Sequence, residues 1–257
     1  MKSLKSILIL VGVLMVINAI GLTVVKCHSD NEAEQMRLDS LRADSIMFAN
    51  KKEASVYLDS LVATKDTTWR DSLVKFYPES EELKKAETFI AEERERMIKA
   101  HKANVWKLRP EYDKVEQITW YTNSLFTHDN NSNHVSLYIA RKESLVALRI
   151  KASYYGDDWI FFDSAKFAYG GETAMLTYKY SEYERDNRGG YVWEWVDTNI
   201  NDTKTLRDIA ESDDALIRFS GKYTHDHTLT SKEKKAMLEV LDGYESLCYL
   251  LRHGLGI

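Results

Sequence analysis

Only two cysteines, Cys27 and Cys248, occur in the 257 residues, which excludes a disulfide framework and a cysteine-rich zinc module. Proline is as scarce, at positions 78 and 110 alone, and no glycine stands between Gly21 and Gly156. An excess of basic charge is also missing, since 35 Lys and Arg face 40 Asp and Glu for a net charge of −5. Neutralising phosphates takes clustered Lys and Arg, so no nucleic-acid partner is expected. No phosphate-binding glycine loop or nucleophile elbow is present: Gly170-Gly171 and Gly189-Gly190 lack the following Lys-Ser/Thr and read as turn glycines. At 44% hydrophobic and 29% charged residues the composition is that of a globular chain.

One long apolar run is present. Lys2 and Lys5 precede residues 7–25, nineteen positions without a charge, and Lys26 closes the run. At about 1.5 Å per residue such a helix spans close to the roughly 30 Å hydrocarbon core. Residues 1–28 are therefore expected to be a transmembrane anchor. A cleaved secretory signal and a lipoprotein signal are the alternatives. The first has a shorter apolar region, and Ile17-Asn18-Ala19 is a mediocre cleavage site. The second would carry its lipid on Cys27, with Lys26 where a small residue normally stands. Basic residues before the run outnumber those after it, a slight bias that places the rest of the chain away from the cytoplasm.

Residues 29–109 hold sixteen acidic and fifteen basic residues, interleaved. With Gly and Pro nearly absent, this is the composition of solvated helix. Leu83, Ala86, Ile90, Met97 and Ala100 follow a heptad seam that Glu93 and Asn104 interrupt, too polar for a firm coiled coil. Asp-Ser pairs at 39–40, 59–60 and 71–72 are either helix-restarting caps or biased usage in a polar stalk. Pro78 is expected to stop one helical stretch and Ser80 to start another, reaching about Leu108. The segment reads as a helical spacer, with a hairpin as one option.

Texture changes at Pro110. Thirteen of fifteen tyrosines, four of six tryptophans and nine of eleven glycines lie beyond it. Aromatic and β-branched runs between Gly and Asp/Asn turns predict strands near 115–121, 134–140, 145–154, 159–168, 172–180, 190–197 and 215–220. Leu148, Ile150, Ala152 and Tyr154 alternate with Arg149, Lys151 and Ser153, the pattern of a half-buried strand. Asp202 opens a short helix, and Thr230-Ser231-Lys232-Glu233 is a capping box before a helix with Met237, Leu241, Leu247 and Leu251 on one stripe. The expected fold is a mainly β sandwich domain over 110–257 with a C-terminal packing helix, preceded by a transmembrane helix and an α-helical stalk.

Ile118-Thr119-Trp120-Tyr121, Gly156-Asp157-Asp158-Trp159-Ile160-Phe161, Glu184-Arg185-Asp186-Asn187, Trp193-Glu194-Trp195, Ile217-Arg218-Phe219-Ser220-Gly221-Lys222 and Leu241-Asp242-Gly243-Tyr244-Glu245 occur in this order. Over about residues 110–252 this pattern resembles an uncharacterised extracytoplasmic β-sandwich domain of bacterial membrane-anchored proteins and lipoproteins. The resemblance implies a location in the cell envelope and a domain boundary, and it brings no catalytic residues.

Three constellations are candidates for chemistry. Tyr191, Trp193 and Trp195 share one face of a strand, with Val192, Glu194 and Val196 on the other. Either this stripe is the core side, leaving Glu194 hydrated outside, or it is an open platform on which sugar rings stack. Glu182, Glu184, Arg185, Asp186 and Arg188 make a mixed-charge hairpin before Gly189-Gly190: a solvated turn, a partner-recognition loop or, least favoured, an acid–base pair, which glycoside chemistry needs about 5–10 Å apart across a cleft. His225-Asp226-His227 puts two imidazoles on one side, yet zinc needs further ligands, with His128, Asp129 and His134 as the recruits. No metal and no cofactor is expected. Cys248 reads as a small buried hydrophobe.

These readings converge on a membrane-tethered extracytoplasmic module without catalytic activity that binds a protein or another envelope component. The alternative is a carbohydrate- or peptidoglycan-binding module using the aromatic face, and a carboxylate-dependent hydrolase comes last. Tyr191, Trp193, Trp195, Glu184, Arg185 and Asp186 are the candidate ligand contacts. The two binding readings divide on one point, whether both tryptophans stand on an open surface.

Overall fold

The computed structural model describes residues 2–124 and 131–257, and for residues 2–31 and 33 the backbone alone. The expected membrane segment and Cys27 fall outside the residues whose side chains are described. Among the described residues, no helix is long and apolar enough to cross a membrane. The chain divides into two compact units, Met1–Glu93 and Arg94–Ile257.

The first unit is helical. α1 runs 63 residues from Lys2 to Thr64, and from residue 22 onward it holds neither Gly nor Pro. It is followed by α2 (Thr68–Phe76) and by the first part of α3 (Glu81–Trp106). Pro78 lies between α2 and α3, and Ser80 Oγ accepts the Leu83 amide at 3.1 Å to open α3, as the sequence leads one to expect. Ala54, Leu61, Leu73, Leu83 and Ala86 form a small core with Tyr57 and Trp69 packed against it. The Asp-Ser pairs do not restart helices: 39–40 and 59–60 lie inside α1, and 71–72 inside α2.

The second unit is built on two antiparallel sheets. The larger has six strands, ordered β1-β2-β3-β4-β8-β7: β1 (Leu108–Asp113), β2 (Ile118–Asn123), β3 (His134–Lys142), β4 (Leu145–Gly156), β7 (Tyr183–Arg188) and β8 (Tyr191–Asn199). The smaller has four, ordered β10-β9-β5-β6: β5 (Ser164–Tyr169), β6 (Glu172–Leu176), β9 (Leu216–Ser220) and β10 (Thr224–Thr228). Helices α4 (Thr203–Glu211) and α5 (Ser231–Arg252) complete the unit.

One core joins these parts. Val135, Leu137 and Ile139 of β3, Leu148 and Ile150 of β4 and Val192 and Val196 of β8 pack with Phe167, Ile217 and Phe219 of the smaller sheet and with Met237, Leu241 and Leu247 of α5. The unit is thus β-rich with a C-terminal packing helix. The last part of α3 belongs to it, because Val105 joins its core and His101 Nδ1 lies 3.0 Å from Ser246 Oγ of α5. The capping box is formed: Thr230 Oγ1 accepts the Glu233 amide at 3.2 Å, and Glu233 Oε2 accepts the Thr230 amide at 2.7 Å. Asp202 Oδ1 likewise accepts the Thr205 amide at 3.0 Å to start α4.

Three strands lie where none is expected. β1 contains Pro110, and β7 and β10 consist almost wholly of charged, polar or aromatic residues. Each is an edge strand of its sheet, where one row of backbone groups is open and charged side chains are at home. The supposed hairpin of residues 182–188 is therefore mostly strand β7. Residues 159–163, expected as the start of a strand, instead form a connection with Phe161 at φ +51°.

Candidate functional site

The stripe Tyr191-Trp193-Trp195 faces outward and Glu194 faces inward, which decides between the two orientations the sequence allows. Register explains it: Tyr154 of β4, whose alternate residues line the core, stands opposite Glu194, and Tyr155 stands opposite Trp193. Along β8 the inward residues Val192, Glu194, Val196 and Thr198 are buried while Trp193, Trp195 and Asp197 are half-buried.

Glu194 is 0% exposed and accepts the backbone amides of Ile160, Phe161 and Phe162 at 2.7, 2.9 and 2.9 Å. The Tyr183 hydroxyl donates to it at 2.6 Å. Burial, and then this bond to a carboxylate, push the Tyr183 phenol well above its ordinary value. Four donors replace the water that Glu194 gives up, and they hold the 159–163 connection against β8. Gly221 lets the β9–β10 turn approach the same connection, since a Cβ there would run into the Phe161 backbone.

On the opposite face, Trp193 and Trp195 line a cleft of about 560 Å³ together with Tyr155 and Tyr191. Tyr155 and Tyr191 are stacked at 5.2 Å between ring centroids, and Trp193 is tilted against Tyr155 at 5.7 Å. The Asn133 side chain accepts the Tyr155 amide at 2.8 Å. Asn131, Asp186 and Arg188 supply the polar rim. The turn Gly189-Gly190, at φ +64° and +86°, sets the β7–β8 register and so puts Asp186 opposite Trp193 and Arg188 opposite Tyr191. Among the described residues the buried Trp193 Nε1 and Ser153 Oγ have no hydrogen-bond partner.

Of the residues singled out by sequence, Tyr191, Trp193, Trp195 and Asp186 therefore meet in one cleft. Glu184 stands opposite Trp195 on the same face. Arg185 is not brought in: it lies on the other side of β7, its guanidinium 5.5 Å from the centroid of the Phe161 ring. Glu182 is occupied with the Lys179 amide at 2.7 Å and the Thr198 hydroxyl at 3.0 Å. Tyr155, Asn131 and Arg188 are the cleft residues missing from the candidate set. Arg188 carried a signal, as part of the charged run; Tyr155 was hidden next to a glycine turn that β4 outlasts.

A second depression, of about 270 Å³, lies on the same sheet face, lined by Glu111, Trp120, Thr122, Tyr138, Lys151 and Asp197. Its base is a rigid polar knot. The Tyr138 hydroxyl donates to Asp197 at 2.6 Å, and Arg149 donates to both, at 2.8 Å to each. Burial and the Asp197 carboxylate raise the Tyr138 phenol. Burial depresses the Lys151 ammonium despite Asp197 and Glu184 nearby, and its Nζ stands 5.3 Å from the Trp195 ring centroid.

The two histidines of β10 share a face but serve the fold. His225 meets the Tyr154 ring edge-on at 5.1 Å, and His227 Nε2 lies 2.9 Å from Glu233. His128 and Asp129 fall outside the described residues, and among the described ones no three His, Cys, Asp or Glu are grouped to hold a metal ion. Comparison of the chain with family models, with curated proteins and with solved structures finds no match.

Proposed function

We propose that this protein is a non-catalytic binding module, held at a membrane by its N-terminal segment on the extracytoplasmic side, and that its ligand is a saccharide seated in the aromatic cleft of β4, β7 and β8. The placement at the envelope rests on the uncharged run at 7–25 and on the family resemblance. The carrying observation for the ligand is a cleft with four aromatic rings and a balanced rim, Asp186 beside Arg188. Rings of this kind attract the polarised C–H faces of sugars. A lone cation would suit the rings but is opposed by Arg188, and a lone anion is opposed by Asp186. A neutral ligand with many hydroxyls suits both.

Among the described residues Asp186 is the carboxylate lining the cleft, which favours binding over acid–base hydrolysis. A protein partner is the second reading, supported by β7, an edge strand with open backbone groups beside the cleft. The test is retention of the full chain, in a detergent without a sugar headgroup, on insoluble peptidoglycan and on β-linked glucan and chitin. Wild type is expected to be retained and Trp193→Ala to be released at least tenfold more readily. Equal behaviour of the two, or no retention of either, overturns the saccharide reading.

A further inference from the structure

Resting on the saccharide reading, we propose that the site does not end at the aromatic cleft and that the ligand is an extended oligosaccharide laid across the strands from Trp193 to Trp120. The second depression is its far subsite.

Two depressions on one sheet face carry the inference. From β8 the face continues through β4 and β3 to β2, and Trp120 lies level with Ala147, eight residues along β4 from the Tyr155 that faces Trp193, so the path runs obliquely for about 30 Å, the length of about six sugar rings. Lys151 stands opposite Asp197 on β8 and opposite Ser136 on β3, so it lies between the two depressions. It lines the second, and its ammonium rests by the Trp195 ring of the first. At the far end Trp120 is half-buried, its ring 5.7 Å from that of Tyr138. Each depression therefore offers at least one aromatic surface and a polar wall, with Trp193 and Asp186 in one and Trp120 and Glu111 in the other.

Charge along the path points the same way. The face holds both signs along its length, Glu111, Asp197 and Glu184 against Lys151 and Arg149, which suits an uncharged polymer better than a polyanion.

The experiment is calorimetric titration of the full chain with β-1,4-linked glucose and N-acetylglucosamine oligomers of two to six units, for wild type, Trp120→Ala, Glu111→Ala and Trp193→Ala. Glu111→Ala is included because Glu111 is exposed on an edge strand, so this variant folds even where loss of the Trp120 ring disturbs β2. The expected result is a dissociation constant that falls about tenfold between two and six units in wild type. In Trp120→Ala and Glu111→Ala that gain shrinks while disaccharide affinity is unchanged. Length-independent binding, or an unaltered gain in both far-end variants, overturns the extension and leaves the cleft itself standing. Absence of binding for every oligomer, or full affinity in Trp193→Ala, overturns the saccharide reading and the extension with it.

Discussion

A buried carboxyl group is tolerated only where donors converge on it, and at Glu194 four do. Three come from consecutive amides, so the side chain acts as a clamp on backbone that has no strand partner there. It also tethers Phe161, whose φ of +51° is a left-handed conformation that bulky residues avoid. Glu194→Gln tests the clamp at minimal change in volume. The amide keeps one accepting oxygen but turns an NH₂ toward backbone amides that only donate. Unfolding of the full chain in urea is expected to show a loss of about 3 kcal/mol, the size of a broken buried charged hydrogen-bond set. A loss under about 1 kcal/mol would show that the connection is held by its rings, Phe162 against Tyr183 and Phe219, instead. The outward direction of Trp193 and Trp195 is tied to the same residue. Sequence alternation shows that Glu194 opposes them, but which side is core depends on what the chain 33 positions away offers, and no local pattern contains that.

At the scale of elements, legibility tracks the strength of local signals. α5 was readable because its capping box and its apolar stripe are both local, and the β7–β8 turn because paired glycines adopt φ angles that other residues resist. β1, β7 and β10 were not, since an edge strand is stabilised from one side only and keeps charged residues that blunt alternation. The start of α5 does more than cap. Glu233, 3% exposed, accepts the Val135 amide of β3 at 3.0 Å as well as the two Thr230 groups, and it faces His227. Burial raises its carboxyl, but the bonds from His227, Thr230 and Val135 outweigh burial and leave it below its ordinary value of 4.5. A carboxyl with a depressed folded-state pKa stabilises the fold fully above the unfolded value, and that contribution disappears as pH falls through the folded value. Wild type is accordingly expected to lose stability below about pH 4.5, and Glu233→Gln to be less stable at pH 7 with a flatter acid limb. Thermal melts of both proteins between pH 3 and 7 measure this. Parallel acid limbs would assign the acid sensitivity to other carboxyls.

Taken as a whole molecule, the boundary between helical and β-rich units is not where composition changes. Tyrosine, tryptophan and glycine all become frequent after Pro110, yet the compact β-rich unit begins at Arg94. Composition marks where strands start; it is blind to a helix end that joins the core of the β-rich unit. The final turns of α3 contribute Val105 at 3% exposure, and Leu108 at 4% begins β1 against Gly243 of α5. His101 stacks on Tyr249 at 4.1 Å, and Asn104 donates to Ser246 at 3.2 Å. A fragment of residues 94–257 is therefore expected to unfold cooperatively, and one of residues 110–257 to be weaker by about 4 kcal/mol, from two buried aliphatic side chains at about 2 kcal/mol each. Denaturant titrations of the two fragments, monitored by tryptophan fluorescence, give the comparison directly. The same pair separates stability from recognition. Trp193, Tyr155 and Asp186 are present in both, so where the shorter fragment remains folded it should keep the saccharide affinity of the longer one. Were affinity lost in a folded 110–257 fragment, the ligand site would have to depend on the end of α3 or on the first residues of β1, and the cleft of β4, β7 and β8 alone would no longer account for binding.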